Sequence, residues 1–297
     1  MITYKSIREL VELADAESKK ISEICLRDQA AQMMRSEEEV FEQMEKSFDV
    51  MIESEIFGRT PGCRSTSGLT GGEGERMRAY AKGNGGLMGS FMSGAVSRAL
   101  AVSNCNAAMG RIVATPTAGS CGILPGCLVS MYEEKKMPKR DIVMSIFTAA
   151  AFGMVVAQNA CIAGAQGGCQ AECGSASGMA AAALVELMGG TPKMCADALG
   201  IAIVNQLGLV CDPVAGLVEI PCIKRNASGV VIAFSAADMA LAGLDLKIPA
   251  DECIEAMKSV GDAMSASLKE TAAGGLAQTP TGRKLREQVF GKKKEND

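Results

Sequence analysis

The sequence contains no histidine and no tryptophan, and aromatic residues make up only 4% of its 297 positions. The absence of histidine removes the usual near-neutral general base, and with it the usual nitrogen ligand of zinc, copper and non-haem iron. Any metal must therefore be held by thiolates, carboxylates or backbone groups, and thiolates favour zinc or iron–sulfur clusters. Aromatic and β-branched runs of the kind that build sheets are scarce, which argues against a strand-rich fold. Residues 1–15 hold no apolar core of a signal peptide, so a cytoplasmic location is expected. The formal net charge is only −4, and no basic stripe suggests a nucleic-acid partner. Lys292, Lys293 and Lys294 form a short basic cluster that reads as a solvated tail.

Small and flexible apolar residues are present in quantity. Hydrophobic residues account for 48% of the chain, with 33 glycines and 19 methionines. Small side chains let helices approach closely and methionine fills irregular gaps, so the expected fold is all-α. One large helical domain with Gly/Pro-rich turns is expected over residues 58–297. Residues 1–57 are expected to form amphipathic helices that pack on this core or on a partner. Residues 142–171 contain no charged side chain and are long enough to span a bilayer. Gln158, Asn159, Gln166, Gln170 and several glycines interrupt them, so a buried helix is the better reading and no membrane association is expected.

Within the first segment, Leu10, Leu13, Ile21, Ile24 and Cys25 recur at helical spacing, as do Val40, Phe41, Met44, Phe48, Met51 and Ile52. Two helices are expected, the second starting at Ser36 ahead of Glu38 and Glu39. Residues 58–86 (GRTPGCRSTSGLTGGEGERMRAYAKGNGG) are too rich in Gly, Ser and Thr for a regular core element. They read as a linker or as a loop that offers hydroxyls and backbone N–H groups to an anion. From 87 to 246, Ala-rich helical stretches alternate with turns at 114–126, 163–178 and 211–229. Helices are expected at 180–188 and 192–209, and one or two more at 250–290.

Twelve cysteines in a chain expected to carry no secretion signal argue against a disulfide framework and bring metal or redox chemistry forward. Most need no function, because free cysteine is among the most buried residue types. Cys25, Cys105, Cys127, Cys161, Cys195 and Cys253 fall in helical apolar patterns, and Cys63 lies in the glycine-rich loop. Cys121, Cys169, Cys173, Cys211 and Cys222 lie in turns beside Gly or Pro, where bent backbone can aim a sulfur. Spacing does not choose among these five, and CQAEC makes Cys169 and Cys173 as good a pair as any. A structural zinc site or a redox-sensing thiol pair thus stays open beside a cluster.

Three long strings, CNAAMGRIVATPTAGSCGILPG, GAQGGCQAECGSASGMAAAALVELMGG and CDPVAGLVEIPCIKRNA, resemble the catalytic domain of the iron–sulfur-dependent bacterial L-serine dehydratases. The resemblance covers about residues 68–240 and is closest to the alpha subunit of the two-subunit forms. It implies a [4Fe–4S] cluster held by Cys169 in GGCQ, Cys211 in CDPVAG and Cys222 in PCIKRNA, with Arg225 and Asn226 as supports behind them. One iron without a protein ligand would act as a Lewis acid on L-serine, releasing pyruvate and ammonia. The resemblance also implies a beta-subunit partner. Some single-chain members end in a cysteine that caps the fourth iron; this sequence ends KKKEND, so water or a small anion is expected there.

The general base stays open among Lys82, Glu172, a metal-bound alkoxide and a histidine from the beta subunit. Substrate binding is assigned to Ser65, Thr66 and Ser67, with Thr70 and Gly71 in SGLTGG, and to Thr115, Thr117 and Ser120 of TPTAGS. The alternative for each hydroxyl is a helix cap.

Overall fold

The computed structural model describes residues 4–291; Lys292, Lys293 and Lys294 lie outside the described residues. Thirteen α-helices run in the order α1 (Ile7–Glu17), α2 (Ile21–Met33), α3 (Glu37–Gly58), α4 (Glu73–Asn84), α5 (Gly89–Ala107), α6 (Ile123–Glu133) and α7 (Lys139–Asn159), then the single turn α8 (Gly164–Gly167). They continue with α9 (Ser175–Leu187), α10 (Pro192–Val204), α11 (Cys222–Leu241), α12 (Ala250–Ala263) and α13 (Pro280–Phe290). Among the described residues there is no β-strand, only isolated bridges. The all-α expectation holds.

α9 is the central element, packed against α6, α7, α10 and α11. Its AAAA run is buried on every side, which is possible because alanine lets neighbouring helix axes come close. Gly178 marks one such crossing: a Cβ there would sit 2.6 Å from Leu199 Cδ1 of α10. α7 is the one helix among the described residues long and apolar enough to cross a membrane, and 67% of its most apolar window is buried inside the fold. It occupies a core position against α2, α3 and α9.

Local chemistry sets the helix ends. Ser36 Oγ accepts from Glu39 N at 3.2 Å while Ser36 N donates to Glu39 Oε2 at 2.9 Å, a reciprocal cap that starts α3. Glu37, Glu38 and Glu39 place negative charge at the positive end of the helix dipole. Thr191 caps α10 ahead of Pro192, its hydroxyl accepting from Met194 N at 3.2 Å.

Several boundaries differ from the sequence expectation. The first segment holds three helices rather than two, because Ser18 takes a left-handed conformation and ends α1 without a Gly or Pro to announce it. Residues 73–84 of the supposed loop form α4, since Glu, Arg, Met, Ala and Lys between the glycines are good helix formers. The helix expected to reach 209 stops at Val204. The turn at 163–178 is largely helical: α8 is followed by a π-turn, Gln170–Gly174, that runs directly into α9. Cys161 lies just past the end of α7 rather than within a helix. Helices α1–α3 bury Ile7, Leu10, Ile24, Phe48 and Met51 in the same hydrophobic cluster as α7 and α9.

Candidate functional site

Cys169, Cys211 and Cys222 are each buried, and three different local structures deliver them. Cys169 follows Gly168, whose φ of +77° lets the chain reverse between α8 and the π-turn. Cys211 is extended and pairs with the segment after α12: its N–H donates to Leu268 O at 2.8 Å, and Glu270 N donates back to its carbonyl at 2.7 Å. Cys222 is the first residue of α11, directly after Pro221.

Arg225, one turn into α11, ties these pieces together. Its guanidinium donates to Val210 O at 2.7 Å and Asp212 Oδ1 at 2.8 Å, on either side of Cys211, and it also faces Cys169. The second Asp212 oxygen accepts from Leu276 N at 2.8 Å, so the segment covering Cys211 is anchored to the same carboxylate. The Cys169 and Cys173 thiols are hydrogen-bonded to each other, their sulfurs 3.4 Å apart. That hydrogen bond, together with the Arg225 charge, holds the Cys169 thiol below the ordinary thiol range. Burial pushes Cys222 up to about 12 and Cys211 higher still, and the negative charge of Cys169 adds to both. The three thiols are thus electrostatically coupled.

Glu172 stands beside them in the π-turn. Its Oε1 accepts from Thr117 Oγ1 at 2.8 Å, and its Oε2 lies 4.0 Å from Cys211 Sγ. Burial raises its pKa above the ordinary glutamate range, partly opposed by the Thr117 hydrogen bond. Two glycines press on this carboxylate. A Cβ on Gly119 would come within 2.9 Å of Glu172 Oε1, and one on Gly164 within 2.7 Å of Oε2 and 2.9 Å of Cys211 Sγ.

The TPTAGS turn is held against the start of α11 by Asn226. Its Nδ2 donates to Gly119 O at 2.7 Å and Cys222 O at 2.9 Å, while its Oδ1 accepts from Gly122 N at 2.8 Å. All the hydrogen-bonding groups of this buried amide are thereby engaged between the turn and Cys222. Thr117 and Ser120 hydroxyls lie 3.2 Å apart, and the buried Thr115 Oγ1 has no partner.

The SGLTGG loop is tied to Glu219. Ser67 Oγ donates to Glu219 Oε1 at 2.7 Å and Thr70 Oγ1 to Glu219 Oε2 at 2.6 Å, with Ser65 Oγ 3.2 Å from Ser67 Oγ. These hydroxyl protons are committed to a buried carboxylate of the Cys211–Cys222 loop. Thr66 is exposed and donates to Ala107 O, and Gly71 N donates to Glu73 Oε2. Lys82 is not brought to the cysteines: it is exposed on α4 and lines a separate cavity with Glu55, Arg59 and Arg98. Of the two candidate bases within this chain, only Glu172 adjoins the thiols. Glu219 and the 268–270 segment escaped the sequence reading; a lone acid between two turn cysteines was the available signal for the first, and the second has none.

Residues 16–277 match the serine dehydratase alpha chain family. The chain belongs to that family. It is 48% identical over 288 residues to the probable L-serine dehydratase alpha chain of Bacillus subtilis, covering 97% of this chain and 96% of the relative. It is 43% identical over 279 residues to the L-serine dehydratase alpha chain of Peptoniphilus asaccharolyticus, covering 94% and 96%. An L-serine dehydratase of Mycobacterium bovis is 39% identical over 290 residues, and there this alpha chain spans 61% of a longer protein.

Cys169, Cys211 and Cys222 lie near enough for the charge of one to bear on the others, with Cys173 against the first. Among the described residues no three His, Cys, Asp or Glu side chains gather tightly enough to hold a single metal ion. A four-iron cluster takes one thiolate per iron and does not require its ligands to meet at a point.

Proposed function

We propose that this chain is the catalytic subunit of a cytoplasmic L-serine dehydratase that holds a [4Fe–4S] cluster on Cys169, Cys211 and Cys222 and works with a beta subunit. The observation that carries the proposal is the convergence of these three buried thiols with Glu172 and Arg225. Three coupled thiols in a buried site are costly as thiolates unless positive charge accompanies them; Arg225 supplies part of it, and cluster iron would supply the rest. When bound, the cluster offers an iron without a protein ligand, a Lewis acid that makes the substrate hydroxyl a better leaving group.

The protein's own groups supply the remainder. Glu172 takes the α-proton of serine, a task suited to a carboxylate whose pKa burial has raised. Thr117 holds that carboxylate in place, and Gly119 and Gly164 leave room for no competing side chain around it. Loss of the α-proton and the hydroxyl gives 2-aminoacrylate, whose hydrolysis yields pyruvate and ammonia. Arg225, pinned by Asp212, keeps positive charge beside Cys169 throughout.

A second reading has one specific observation in its favour. The Cys169 and Cys173 sulfurs are 3.4 Å apart, and such a pair could serve as a redox-sensing dithiol in a chain without lyase activity. One assay separates the two. The anaerobically purified chain, with and without the beta subunit, is given L-serine and pyruvate is followed with time. Serine-dependent pyruvate that disappears as air bleaches a brown chromophore is expected. No pyruvate from an iron-loaded complex would overturn the dehydratase proposal and leave the dithiol.

A further inference from the structure

Away from the cysteines, α3, α4, α5 and the end of α6 enclose a cavity of about 620 Å³. Its floor is an ion-paired layer. Arg98 donates to Glu133 at 2.8 Å and Glu134 at 2.6 Å, and Arg59 to Glu55 at 3.2 Å. Arg78, Lys82 and Lys136 also line it, and none of the three forms a salt bridge among the described residues. The lining therefore carries two more cations than carboxylates, in a chain whose formal net charge is −4.

Two further features distinguish this cavity from a solvated basic surface. The buried Arg98 Nε donates to no hydrogen-bond partner. Buried polar groups left unpaired are rare and call for a ligand or water to satisfy them. Arg78 and Lys82 are also four residues apart on α4, where like charges repel and weaken a helix unless an anion lies between them.

We propose that this cavity is a binding site for a small multivalent anion, of the dicarboxylate or phosphate class, held by Arg78, Lys82 and Lys136 above the Arg98 floor. Negative charge placed there neutralises the unpaired cations and gives Arg98 Nε an acceptor. The site is separate from the cysteines but not isolated from them. α4 begins at Glu73, which accepts from Lys224 Nζ at 2.8 Å two residues after Cys222, and from Asn104 Nδ2 at 2.8 Å.

The test is isothermal titration of the full chain with succinate and, separately, inorganic phosphate, against potassium chloride at matched ionic strength. Wild type is compared with the triple variant Arg78→Gln, Lys82→Gln, Lys136→Gln. Saturable binding of at least one anion, weakened tenfold or more in the variant, is expected. A response to succinate alone assigns the carboxylate source, one to phosphate alone the phosphate source, and both a site that reads charge only. No binding beyond the chloride control would overturn the proposal. So would equal affinity in the variant, which places the anion elsewhere, the cysteine site included. Should the triple variant not fold, Lys82→Glu on an exposed side chain gives the same comparison, with loss of binding expected.

Discussion

Thr70 donates a 2.6 Å hydrogen bond to Glu219, joining a glycine-rich loop to the loop that carries both Cys211 and Cys222. Hydrogen bonds to a buried charge are worth more than neutral ones, because the carboxylate left behind stays desolvated. Thr70→Val keeps the shape of the side chain and removes the donor. A loss of about 1–3 kcal/mol in unfolding free energy is expected, measured by urea titration. A change within about 0.5 kcal/mol, the range of an ordinary surface substitution, would mean that the contact contributes little.

Asn226 gives a sharper comparison. Asn226→Ala removes three hydrogen bonds, to Gly119, Gly122 and Cys222, at a cost of about 2–4 kcal/mol. Asn226→Asp is the smaller change on paper but sets a buried carboxylate against the carbonyls of Gly119 and Cys222. The aspartate variant is expected to be the less stable of the two by thermal melting. The reverse order would show that the two donated bonds matter less than the volume of the side chain.

If Glu172 removes the α-proton, Glu172→Gln should lower kcat by about 10²–10⁴-fold, the range of a lost general base. KM for serine should change far less. Thr117→Val, which only releases the carboxylate, should cost a smaller part of kcat. A glutamine variant with near-normal turnover would exclude Glu172 as the base and leave a metal-bound alkoxide or a beta-subunit histidine.

Glu55 offers a pH test remote from the cysteines. Burial raises its pKa, against the opposing pull of Arg59. The folded state therefore holds the proton more tightly than the unfolded chain. That contribution is fully present below the unfolded glutamate value and is lost as pH rises through the raised folded value. Glu55→Gln resembles the protonated form at every pH, so its stability relative to wild type should increase across the window that opens above about pH 4, the unfolded glutamate value. A stability difference that is flat over this window would contradict the assigned shift.

Much of the architecture is legible from local chemistry. The Ser36–Glu39 cap, the Thr191–Pro192 start and the Ala-rich runs each identify a helix without reference to the rest of the chain. Failures occur where a local rule is ambiguous or absent. Ser18 ends α1 in a conformation more typical of glycine, and the glycines around residues 73–84 mask a helix whose other residues favour it. Within the candidate site, spacing leaves Cys173 equivalent to Cys169, and only the resemblance of whole motifs singles out Cys169, Cys211 and Cys222. The Arg225 contacts on both sides of Cys211 and the pairing of Cys211 with Leu268 and Glu270 are long-range relations that no local pattern announces. The bonds from Ser67 and Thr70 to Glu219 are likewise long-range relations that the sequence does not announce.

The most direct test of the central proposal is the iron and acid-labile sulfide content of anaerobically purified chain, wild type beside the Cys169→Ala, Cys211→Ala, Cys222→Ala variant. About four irons per wild-type chain, lost in the variant, is the expected result for a four-iron cluster on these thiols. Wild-type protein that holds no iron after anaerobic reconstitution, or a variant that keeps it, would contradict the account.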